Sequence, residues 1–518
     1  MAVWTLLACI VVTLITIHVL HRHKKRMRSV SGGGASSSII PALLPPGPTG
    51  LPFIGSALSF LGPMAHHTPP HRVIARLAAT YGPVVFFRPG TSGDFVVVSS
   101  PAAAREALVG HCGAALAARF VPDAARARGH SSESVFFLPT SDPLWKRHRT
   151  TLAARLSSAR TRHARDVQAR RLAERVRARS SGAPVAVGDA VLGAVLDVTS
   201  NVLFSQDVAG FTARQMSFKE VVAAVLEDWN APNVSDAFPF LAPLDLFGTR
   251  RRVSGRLARL YDFLDEQFVQ PRLLLLDSGE KKKQHGEEDL LDIVLARHAK
   301  AELTRSQITR FFTDIFLAAG NTTRITVEWA MAMLLKHPDK MDKVRAELAA
   351  NIGSKDFVED SDLGKLPYLH AVVKETLRLH PAAPLLPRAV VSDGGISLAG
   401  FTVPNGTNVL VNLWAMGRDP AAWTQPDEFV PERFLSGGDG NNSPAAVDFA
   451  YRPFGAGQRM CPGMDLAARL VPLLLASFLH RTAWRLPDGL DQVDLTERYS
   501  MVLELATPLR AVPVLLAS

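Results

Sequence analysis

The chain has 518 residues, of which 47% are hydrophobic and 20% are charged, which is the composition of a globular protein with a large core. Its three cysteines, Cys9, Cys112 and Cys461, are too few for a disulfide framework and favour a reducing compartment for the main body. The formal net charge of +10 comes largely from arginine, and the stretch at residues 159–179 is typical of a solvated cationic helix face. Because no nucleic-acid-binding module accompanies it, we expect no nucleic-acid partner, while an anionic membrane or an acidic protein stays open as a partner.

The first predicted element is an apolar run at Ala2–Leu20, which contains no formally charged side chain. As a helix it would be about 28 Å long, enough to cross the hydrocarbon core of a bilayer. The basic cluster His21–Arg28 follows at once, and the positive-inside rule keeps the rest of the chain on the cytoplasmic side. A cleaved signal peptide is the alternative, but its basic residues would precede the apolar run. The pattern therefore predicts a single-pass transmembrane anchor at residues 2–20, with the endoplasmic reticulum membrane as its usual destination.

The next segment, residues 21–43, is predicted to be a tether. It carries the basic cluster and then the glycine- and serine-rich stretch Ser29–Ser38, a composition typical of flexible linkers. The proline-rich stretch Leu44–Gly55 follows and predicts a stiff hinge. We therefore place the folded body at residues 44–518.

Short elements open the body. A helix is predicted at His71–Gly82, and a β-hairpin at Val84–Arg88 and Asp94–Ser100 around a turn rich in glycine and proline. The Ser100-Pro101 step is typical of a helix start. From there to about residue 380 the pattern is mainly helical, interrupted by charged loops such as Gly279–Asp289.

One helical pattern is unusually long. It runs from Thr304 to about His337, which corresponds to about 50 Å of helix, so it has to cross the whole body. Past Pro381 the sequence changes to short strands, prolines and glycines, and a last apolar helix is predicted at Met464–Leu479. The predicted fold class is therefore mainly α with a small β portion, in a single large domain.

The most informative motif is FGAGQRMCPG at Phe454–Gly463. Gly455 and Gly457 allow a tight turn and the close approach of something flat, because neither has a Cβ. Cys461 stands near the entry to a helix, where the positive dipole end favours a thiolate. A thiolate presented in this way is suited to bind haem iron, with Arg459 on a haem propionate. The alternative is a buried structural cysteine beside an incidental turn.

This loop resembles the haem-binding loop of the cytochromes P-450, F-x-x-G-x-R-x-C-x-G, at every fixed position. The resemblance extends to KETLRLHP, where Glu375 and Arg378 match the E-x-x-R pair, and to PERF, which adds Arg433. Glu375 and Arg378 are three residues apart and therefore share a helix face. The resemblance implies the cytochrome P-450 fold, with haem b as the cofactor and Cys461 as the axial ligand of the iron. It also implies that Arg433 joins the pair in a structural lock.

Further haem contacts are implied by the same resemblance. WKRHR looks like the family's W-x-x-x-R helix, so Trp145 and Arg149 are expected to reach the haem propionates. Arg388 in PLLPRAV occupies the position of another such contact. Within the loop itself, Phe454, Gly455, Gly457 and Arg459 belong to the expected haem-binding set.

The centre of the long helix reads AAGNTTRITVEW and resembles the family's oxygen-site motif, [A/G]-G-x-[D/E]-T-[T/S]. Thr322 is the candidate for handing protons on during oxygen activation, although a threonine in a helix commonly bonds back to its own helix carbonyl. Two positions depart from the family pattern. Ala319 replaces a glycine, and Asn321 replaces the usual acid, so position 321 can orient water but cannot titrate. Arg324 is expected to point away from the haem and to form ion pairs.

The activity that the resemblance implies is monooxygenation of an apolar small molecule with O2. Electrons would come from NADPH through NADPH-cytochrome P-450 reductase, with cytochrome b5 as a possible second donor and membrane lipid around the anchor. Phrases such as VNLWAMGRDPAAW and PLRAVP look most like the plant A-type, geraniol-hydroxylase-like family, which implies a mono- or diterpenoid substrate. The pocket residues implied by the resemblance are Val135, Phe136, Ala318, Ala383, Leu385, Val502 and Leu503.

Other functions stay open at this point. A hydroxylase of fatty acids or phenolics would share every motif above, because a few pocket side chains decide the substrate. A reductase-independent isomerase or dehydratase would dispense with the oxygen-site threonine, so Thr322 argues against it. A non-catalytic haem-binding membrane protein would show no substrate-dependent consumption of NADPH.

Overall fold

A computed structural model of the chain describes residues 43–51, 54–57, 59, 68–156, 159–179, 182–208, 212–213, 216–230, 233–278, 288–435 and 449–516. The part of the chain from Leu44 to Ser518 forms one compact unit. The anchor predicted at residues 2–20 and all but the last residue of the tether predicted at 21–43 lie outside the described residues.

Helices dominate the described residues. In chain order they are α1 (Pro70–Tyr81), α2 (Pro101–Leu108), α3 (Pro143–Arg155), α4 (Ala159–Arg177), α5 (Val187–Phe204), α6 (Phe218–Asn230), α7 (Val234–Ala237), α8 (Thr249–Leu264), α9 (Gln270–Asp277), α10 (Leu290–Ala299), α11 (Arg305–Lys336), α12 (Pro338–Ile352), α13 (Pro367–Leu379), α14 (Leu413–Met416) and α15 (Met464–Leu479). Short 3-10 turns at Pro431–Phe434 and Gly457–Arg459 lie in two of the predicted motifs.

The strands are short, and most of them lie before Pro101 or after Pro381 in the sequence. They are β1 (Val84–Phe87), β2 (Phe95–Val98), β3 (Val185–Ala186), β4 (Thr212–Ala213), β5 (Met216–Ser217), β6 (Leu385–Ala389), β7 (Ile396–Leu398), β8 (Phe401–Val403), β9 (Asn408–Asn412), β10 (Thr482–Arg485), β11 (Glu497–Ser500), β12 (Val502–Leu505) and β13 (Arg510–Leu515). The predicted hairpin is confirmed as the antiparallel pair β1–β2. The main sheet has the order β1-β2-β9-β6, in which β2 and β9 are parallel. The mainly α fold class with a small β portion is therefore confirmed.

The long helix α11 is the axis of the body, as its predicted length requires. It begins after Thr304, whose side chain accepts the Gln307 N–H while the Gln307 side chain accepts the Thr304 N–H. This reciprocal cap satisfies two backbone donors that the first helical turn leaves without partners. The helix ends at His337, immediately before Pro338 starts α12. Along its length α11 packs against α5, α13 and α15.

Helix α5 is apolar enough to invite a different interpretation. It is the one helix among the described residues whose length and mean hydropathy would allow it to cross a membrane, and 78% of that apolar stretch is buried inside the protein. Val191, Val195 and Leu203 of this helix belong to the main hydrophobic cluster together with α11 residues. We therefore assign α5 to the core of the body.

The arginine-rich helix α4 is only partly a solvated face. Its residues Ala169, Leu172 and Val176 are buried in the main cluster. Arg165 is also buried, and its guanidinium lies 2.7 Å from a carboxylate oxygen of Asp360. The sequence pattern alone did not distinguish this inner arginine from its exposed neighbours.

Candidate active site

The cysteine loop is a closed turn that precedes α15. The Cys461 N–H donates to the Phe454 carbonyl at 3.0 Å, and the first residue of α15 is Met464. Gly455 and Gly457 both have φ of 71°, a conformation that favours glycine. A Cβ at Gly457 would collide with the Leu108 carbonyl oxygen at the end of α2. What approaches Gly457 closely is therefore the backbone of this chain, whereas the sequence suggested a flat ligand.

The electrostatics of Cys461 bear on the thiolate that the sequence leads us to expect. Burial raises the pKa of its thiol, and the Gly463 N–H, Arg149 and Arg119 offset this only in part. The cysteine lies three residues before Met464, the first residue of α15. The protein by itself therefore favours the thiol, and formation of the thiolate depends on a bound metal, which deprotonates a coordinating thiol.

Four arginines surround the cysteine loop: Arg119, Arg149, Arg388 and Arg459. They come from the stretch before α3, from α3, from β6 and from the loop itself. The pKa of each arginine is shifted by the charge of another member of the group or by that of Cys461. Chain segments that are far apart in sequence therefore place four cations at one site.

Arg388 and Arg459 are buried, Arg119 and Arg149 are half-buried, and all four lack acidic partners in the described part of the chain. Burial, with the neighbouring arginines as the second cause, lowers the pKa of Arg388 and of Arg459 to about 9 and that of Arg119 to about 10. Among the residues that the structure describes, none of the four arginines forms an ion pair with a carboxylate. Buried charge without a counter-charge is costly, so this arrangement is that of an anion-binding site.

The hydrogen bonds of the cluster lead to the same conclusion. Arg459 donates to the carbonyls of Ala117, at 2.7 Å, and Val135, at 3.1 Å, and to that of Leu138. Arg388 donates to the Pro387 carbonyl at 2.8 Å, and Arg149 to the Met460 carbonyl at 2.9 Å. Neutral carbonyls stabilise the guanidinium groups but do not neutralise them, so the need for an anion remains.

Two donors at the site have no partner within the described part of the chain. They are Nε1 of Trp145 and Nε of Arg119, both of which are buried. The guanidinium carbon of Arg459 lies 5.1 Å from the centre of the Trp145 ring, and that of Arg149 lies 5.6 Å from it. Unpartnered buried donors beside unpaired cations indicate that a ligand with acceptor oxygens completes the site.

The middle of α11 exposes a short stretch of an otherwise buried helix. Ala318 is exposed and Ala319, Asn321 and Thr322 are half-buried, whereas nearly all of the residues of Phe311–Leu317 and Ile325–Leu334 are buried. Ala318, Asn321 and Thr322 share one face, because residues three and four apart in a helix are neighbours. Gly320 faces the other way, and a Cβ there would lie 3.3 Å from the Leu192 side chain of α5.

The polar groups of this stretch are already engaged. The Thr322 hydroxyl donates to the Ala318 carbonyl at 2.9 Å, which is the ordinary bond of a helical threonine, and it keeps its capacity to accept. The Asn321 carbonyl oxygen accepts from Nε of Arg324 at 3.0 Å. Arg324 also pairs with Glu328 at 2.9 Å and with Glu504 at 2.7 Å, which confirms the expected ion-pair role.

The structure brings Glu375, Arg378 and Arg433 together. Glu375 accepts from Arg378 at 2.7 and 2.8 Å and from Arg433 at 3.1 Å, and all three side chains are buried. Arg378 also donates to the carbonyls of Gly417, Pro426 and Glu428. The trio thus ties α13 to the segment that leads into the cysteine loop.

The predicted pocket residues divide into two groups. Val135, Phe136 and Ala383 are half-buried and Ala318 is exposed. The others are buried; Leu385 packs in a cluster with Val85, Phe87 and Val97 of the main sheet, and Val502 packs in the main cluster. The Leu503 N–H donates to the Ala382 carbonyl at 3.0 Å, so the strand β12 lies beside the chain that enters β6.

Sequence reasoning missed two residues of this site, Arg119 and Asp314. Asp314 lies in the apolar run FFTDIF of α11, where a lone acid is a signal that could have been noticed. Its carboxylate accepts the Ser134 hydroxyl at 2.9 Å and the Val135 N–H at 2.7 Å. Asp314 thereby fixes the segment whose carbonyls hold Arg459.

Comparisons with known proteins bear on the whole chain. The sequence model of the cytochrome P450 family matches residues 45–510. Cytochrome P450 76M5 of Oryza sativa subsp. japonica is 42% identical, with 99% of this chain and 98% of that protein covered. Oryzalexin E synthase of the same rice is 41% identical, covering 94% of each, and carnosic acid synthase of Rosmarinus officinalis is 39% identical, covering 91% and 93%.

A solved structure shares the fold. It is a zebra fish cytochrome P450 with progesterone, which superposes with a TM-score of 0.71 at 26% identity. The match covers 86% of this chain and 100% of that one.

Proposed function

Because this chain belongs to the cytochrome P450 family and is one of its monooxygenases, we propose that it hydroxylates an apolar terpenoid, with electrons from NADPH-cytochrome P450 reductase. Relatives named oryzalexin E synthase, ent-cassadiene C11-alpha-hydroxylase 1 and carnosic acid synthase support this substrate class. The reductase is the donor expected for a family member with a membrane anchor, and cytochrome b5 is proposed as a second one.

The observation that carries the proposal is the cluster of buried arginines without acids around Cys461. Haem b fits it, because its two propionates supply the missing negative charge and the acceptors for Trp145 and Arg119. In this assignment Cys461 binds the iron through Sγ, and Arg119, Arg149, Arg388, Arg459 and Trp145 hold the propionates. When bound, the haem supplies the chemistry of oxygen activation and insertion.

The residues of α11 have separate tasks in the proposed reaction. Ala318 has the smallest side chain on the exposed face and leaves room for substrate. Thr322 hands a proton on at its hydroxyl, which can rotate away from the Ala318 carbonyl. Asn321 orients water by hydrogen bonding, because its amide does not titrate. The residues proposed to contact the apolar substrate are Val135, Phe136 and Ala383. The buried residues proposed to pack against these three are Leu385, Val502 and Leu503.

The proposal is tested by turnover with a terpenoid panel. The full chain is expressed with the reductase and NADPH and given mono- and diterpene hydrocarbons and alcohols, with a fatty acid and a phenolic as comparison substrates. We expect a hydroxylated terpenoid that forms only when the reductase is present. Product from the fatty acid or phenolic alone would overturn the substrate class, and product formed without reductase would point to an isomerase or dehydratase.

The haem ligand has its own test. Cys461→Ser is expected to abolish the thiolate-type spectrum of the carbon monoxide complex. Cys112→Ser is the matched control, because Cys112 is the other free thiol of the described residues; it is buried and donates to the Ser397 carbonyl at 3.0 Å. If the Cys461 variant kept the spectrum, the ligand assignment would be wrong.

Membrane attachment through residues 2–20 is proposed as well, with the body on the cytoplasmic side of the endoplasmic reticulum. Among the described residues, Phe240, Leu244, Leu246 and Phe247 are each more than half exposed and form an apolar surface suited to contact lipid. Deletion of residues 1–43 leaves the compact unit intact. We expect this deletion to release most of the protein from microsomes at alkaline pH, whereas the full chain stays in the pellet.

A further inference from the structure

Position 321 is where this chain departs most from the oxygen-site motif, because it has Asn in place of an acid. The structure shows that Arg324 contacts this residue. Arg324 lies one turn farther along α11, and its three guanidinium nitrogens all have partners. Nε donates to Asn321 Oδ1 at 3.0 Å, Nη1 to Glu328 at 2.9 Å and Nη2 to Glu504 at 2.7 Å.

Arg324 is held in this position from both sides. Glu328 is buried on α11, and its second oxygen accepts the Leu509 N–H at 2.9 Å. A Cβ at Gly188 would lie 2.7 Å from this carboxylate, so the glycine at the start of α5 makes room for it. Glu504 lies on β12, where its other oxygen accepts from Arg498 at 2.9 Å. The guanidinium is therefore part of a network that joins α11 to the β11–β12 hairpin.

The orientation of the Asn321 amide follows from this network. A guanidinium has only donors, so an amide in contact with it has to present its oxygen. The NH2 group is then the end of the amide turned away from Arg324 and is available to donate beside Thr322. Asn321 acts there as a hydrogen-bond donor, whereas an ionised acid at this position would act as an acceptor.

We propose that Arg324 is a positioning residue that fixes Asn321 as a donor beside Thr322 and that would hold an acid at position 321 ionised and out of proton delivery. This inference rests on the proposed function of Thr322. It predicts that restoring the family's acid at position 321 brings no gain while Arg324 is present.

The groups that face Arg324 come from three elements. Glu328 lies on the same helix, Glu504 and Arg498 lie on the β11–β12 hairpin, and Asp189 of α5 acts on Glu328 through its charge. A variant that removes Arg324 alone would leave the buried carboxylate of Glu328 without its cation, whereas Glu504 would keep Arg498, and the loss could unfold the protein. The background for the test is therefore Arg324→Gln with Glu328→Gln, which removes one charge of each sign and leaves Glu504 paired with Arg498.

The experiment compares Asn321→Asp in the natural chain with Asn321→Asp in that double-Gln background. The measured quantities are product formed and hydrogen peroxide released per NADPH between pH 6 and pH 8. In the natural chain we expect Asn321→Asp to lower the coupling of NADPH to product at least about twofold, with no new pH dependence, because the amide donor is lost and Arg324 holds the new carboxylate. In the double-Gln background we expect the same substitution to raise coupling severalfold, with a pH dependence that reports titration of the new carboxyl group.

Thermal unfolding supplies a readout that needs no turnover. At pH 7, Asn321→Asp is expected to raise Tm in the natural chain, because the new carboxylate pairs with Arg324, and not in the double-Gln background. Arg498→Gln is the matched control: it removes an arginine from Glu504 without contacting Asn321, so coupling is expected to stay unchanged.

An equal gain in coupling from Asn321→Asp in both backgrounds would overturn the inference, as would equal changes in Tm. Failure of the inference is distinguishable from failure of the proposed function. If the natural chain shows the thiolate-type spectrum and forms product, only the role of Arg324 is refuted. If that spectrum is absent, the haem assignment fails, and the Tm comparison still decides whether Arg324 holds position 321.

Discussion

Two groups of buried arginines in this protein have opposite surroundings. In the lock, Arg378 and Arg433 share the carboxylate of Glu375 and donate their other N–H groups to carbonyls of the chain. In the cluster around Cys461, Arg388 and Arg459 find only carbonyls and each other. The difference teaches that buried arginines that share a carboxylate of the chain support the fold, whereas buried arginines with no carboxylate partner mark the place of an anionic ligand.

The first prediction breaks the lock of Glu375, Arg378 and Arg433. Glu375→Ala leaves Arg378 and Arg433 buried without a counter-charge, and we expect it to lower the free energy of unfolding by about 3–5 kcal/mol. The measurement is the yield of folded, haem-containing protein and its Tm. Arg485→Met is the control, because Arg485 pairs with Asp488 on the surface and such pairs contribute less than about 1 kcal/mol. Equal losses in the two variants would contradict the distinction.

The second prediction extends the comparison to His148, a buried base that, unlike arginine, can lose its proton near neutral pH. His148 stacks on Phe311 with ring centres 4.2 Å apart, and burial lowers its pKa to about 4. The unfolded chain therefore binds a proton near pH 6.5 that the folded chain resists, so the stability is complete above about pH 6.5 and is lost as pH falls toward 4. The loss from this residue is at most about 3 kcal/mol.

Thermal unfolding between pH 4 and pH 7.5 checks this window. His148→Phe keeps a ring against Phe311 and removes the titrating group, so its Tm is expected to fall less steeply with acid. His380, whose pKa is also lowered to about 4 by burial, should maintain part of the slope. A His148→Phe profile parallel to that of the natural chain would exclude His148 as a cause.

The third prediction removes one cation from the arginine cluster around Cys461. Arg388→Met removes a buried cation that has no acid partner, so we expect the haem-free protein to be unchanged or more stable, by about 1–2 kcal/mol. Haem retention is expected to move in the opposite direction, with release to a haem acceptor at least about tenfold faster, the equivalent of about 1.4 kcal/mol. A variant that lost stability and kept its haem would show that the cluster supports the fold and does not bind an anion.

The smallest effect on stability is expected at Thr322. Thr322→Ala removes a hydroxyl that bonds to its own helix, so the free energy of unfolding should change by no more than about 0.5 kcal/mol. The release of hydrogen peroxide per NADPH should nevertheless rise severalfold. Thr313→Ala is the matched control, because Thr313 makes the same bond to Thr309 at 2.9 Å in a buried part of α11. Unchanged coupling in Thr322→Ala would remove this residue from proton transfer.

Much of the fold could be predicted because its signals are local. The α11 boundaries follow from the Thr304 cap and from Pro338, and the predicted Met464–Leu479 helix is α15 without change. The strands β3, β4 and β5 were not predicted, since two-residue strands have no periodicity to detect. Their existence depends on partners, such as β13 for β3, that lie far away in the sequence.

For the candidate site, motif spacing predicted which residues to examine but not their electrostatics. The sequence identified Cys461, Arg459, Trp145, Arg149 and Arg388, but it did not show that burial raises the pKa of the Cys461 thiol. It also attributed the close approach at Gly457 to a ligand, where the structure has the Leu108 carbonyl. Arg119 and Asp314 were missed because only folding brings them beside these residues.

The sequence by itself determined the mainly helical fold class, the long central helix and the positions of the cysteine, threonine and lock residues. These depend on periodicity, caps and motif spacing, which are properties of neighbouring residues. Only the tertiary structure decided which buried arginines have a carboxylate partner, that Arg324 donates to the Asn321 carbonyl oxygen, and that burial raises the pKa of Cys461. Charge balance and desolvation depend on distances between segments up to about three hundred residues apart, such as Arg459 and Val135, and no local pattern records those distances.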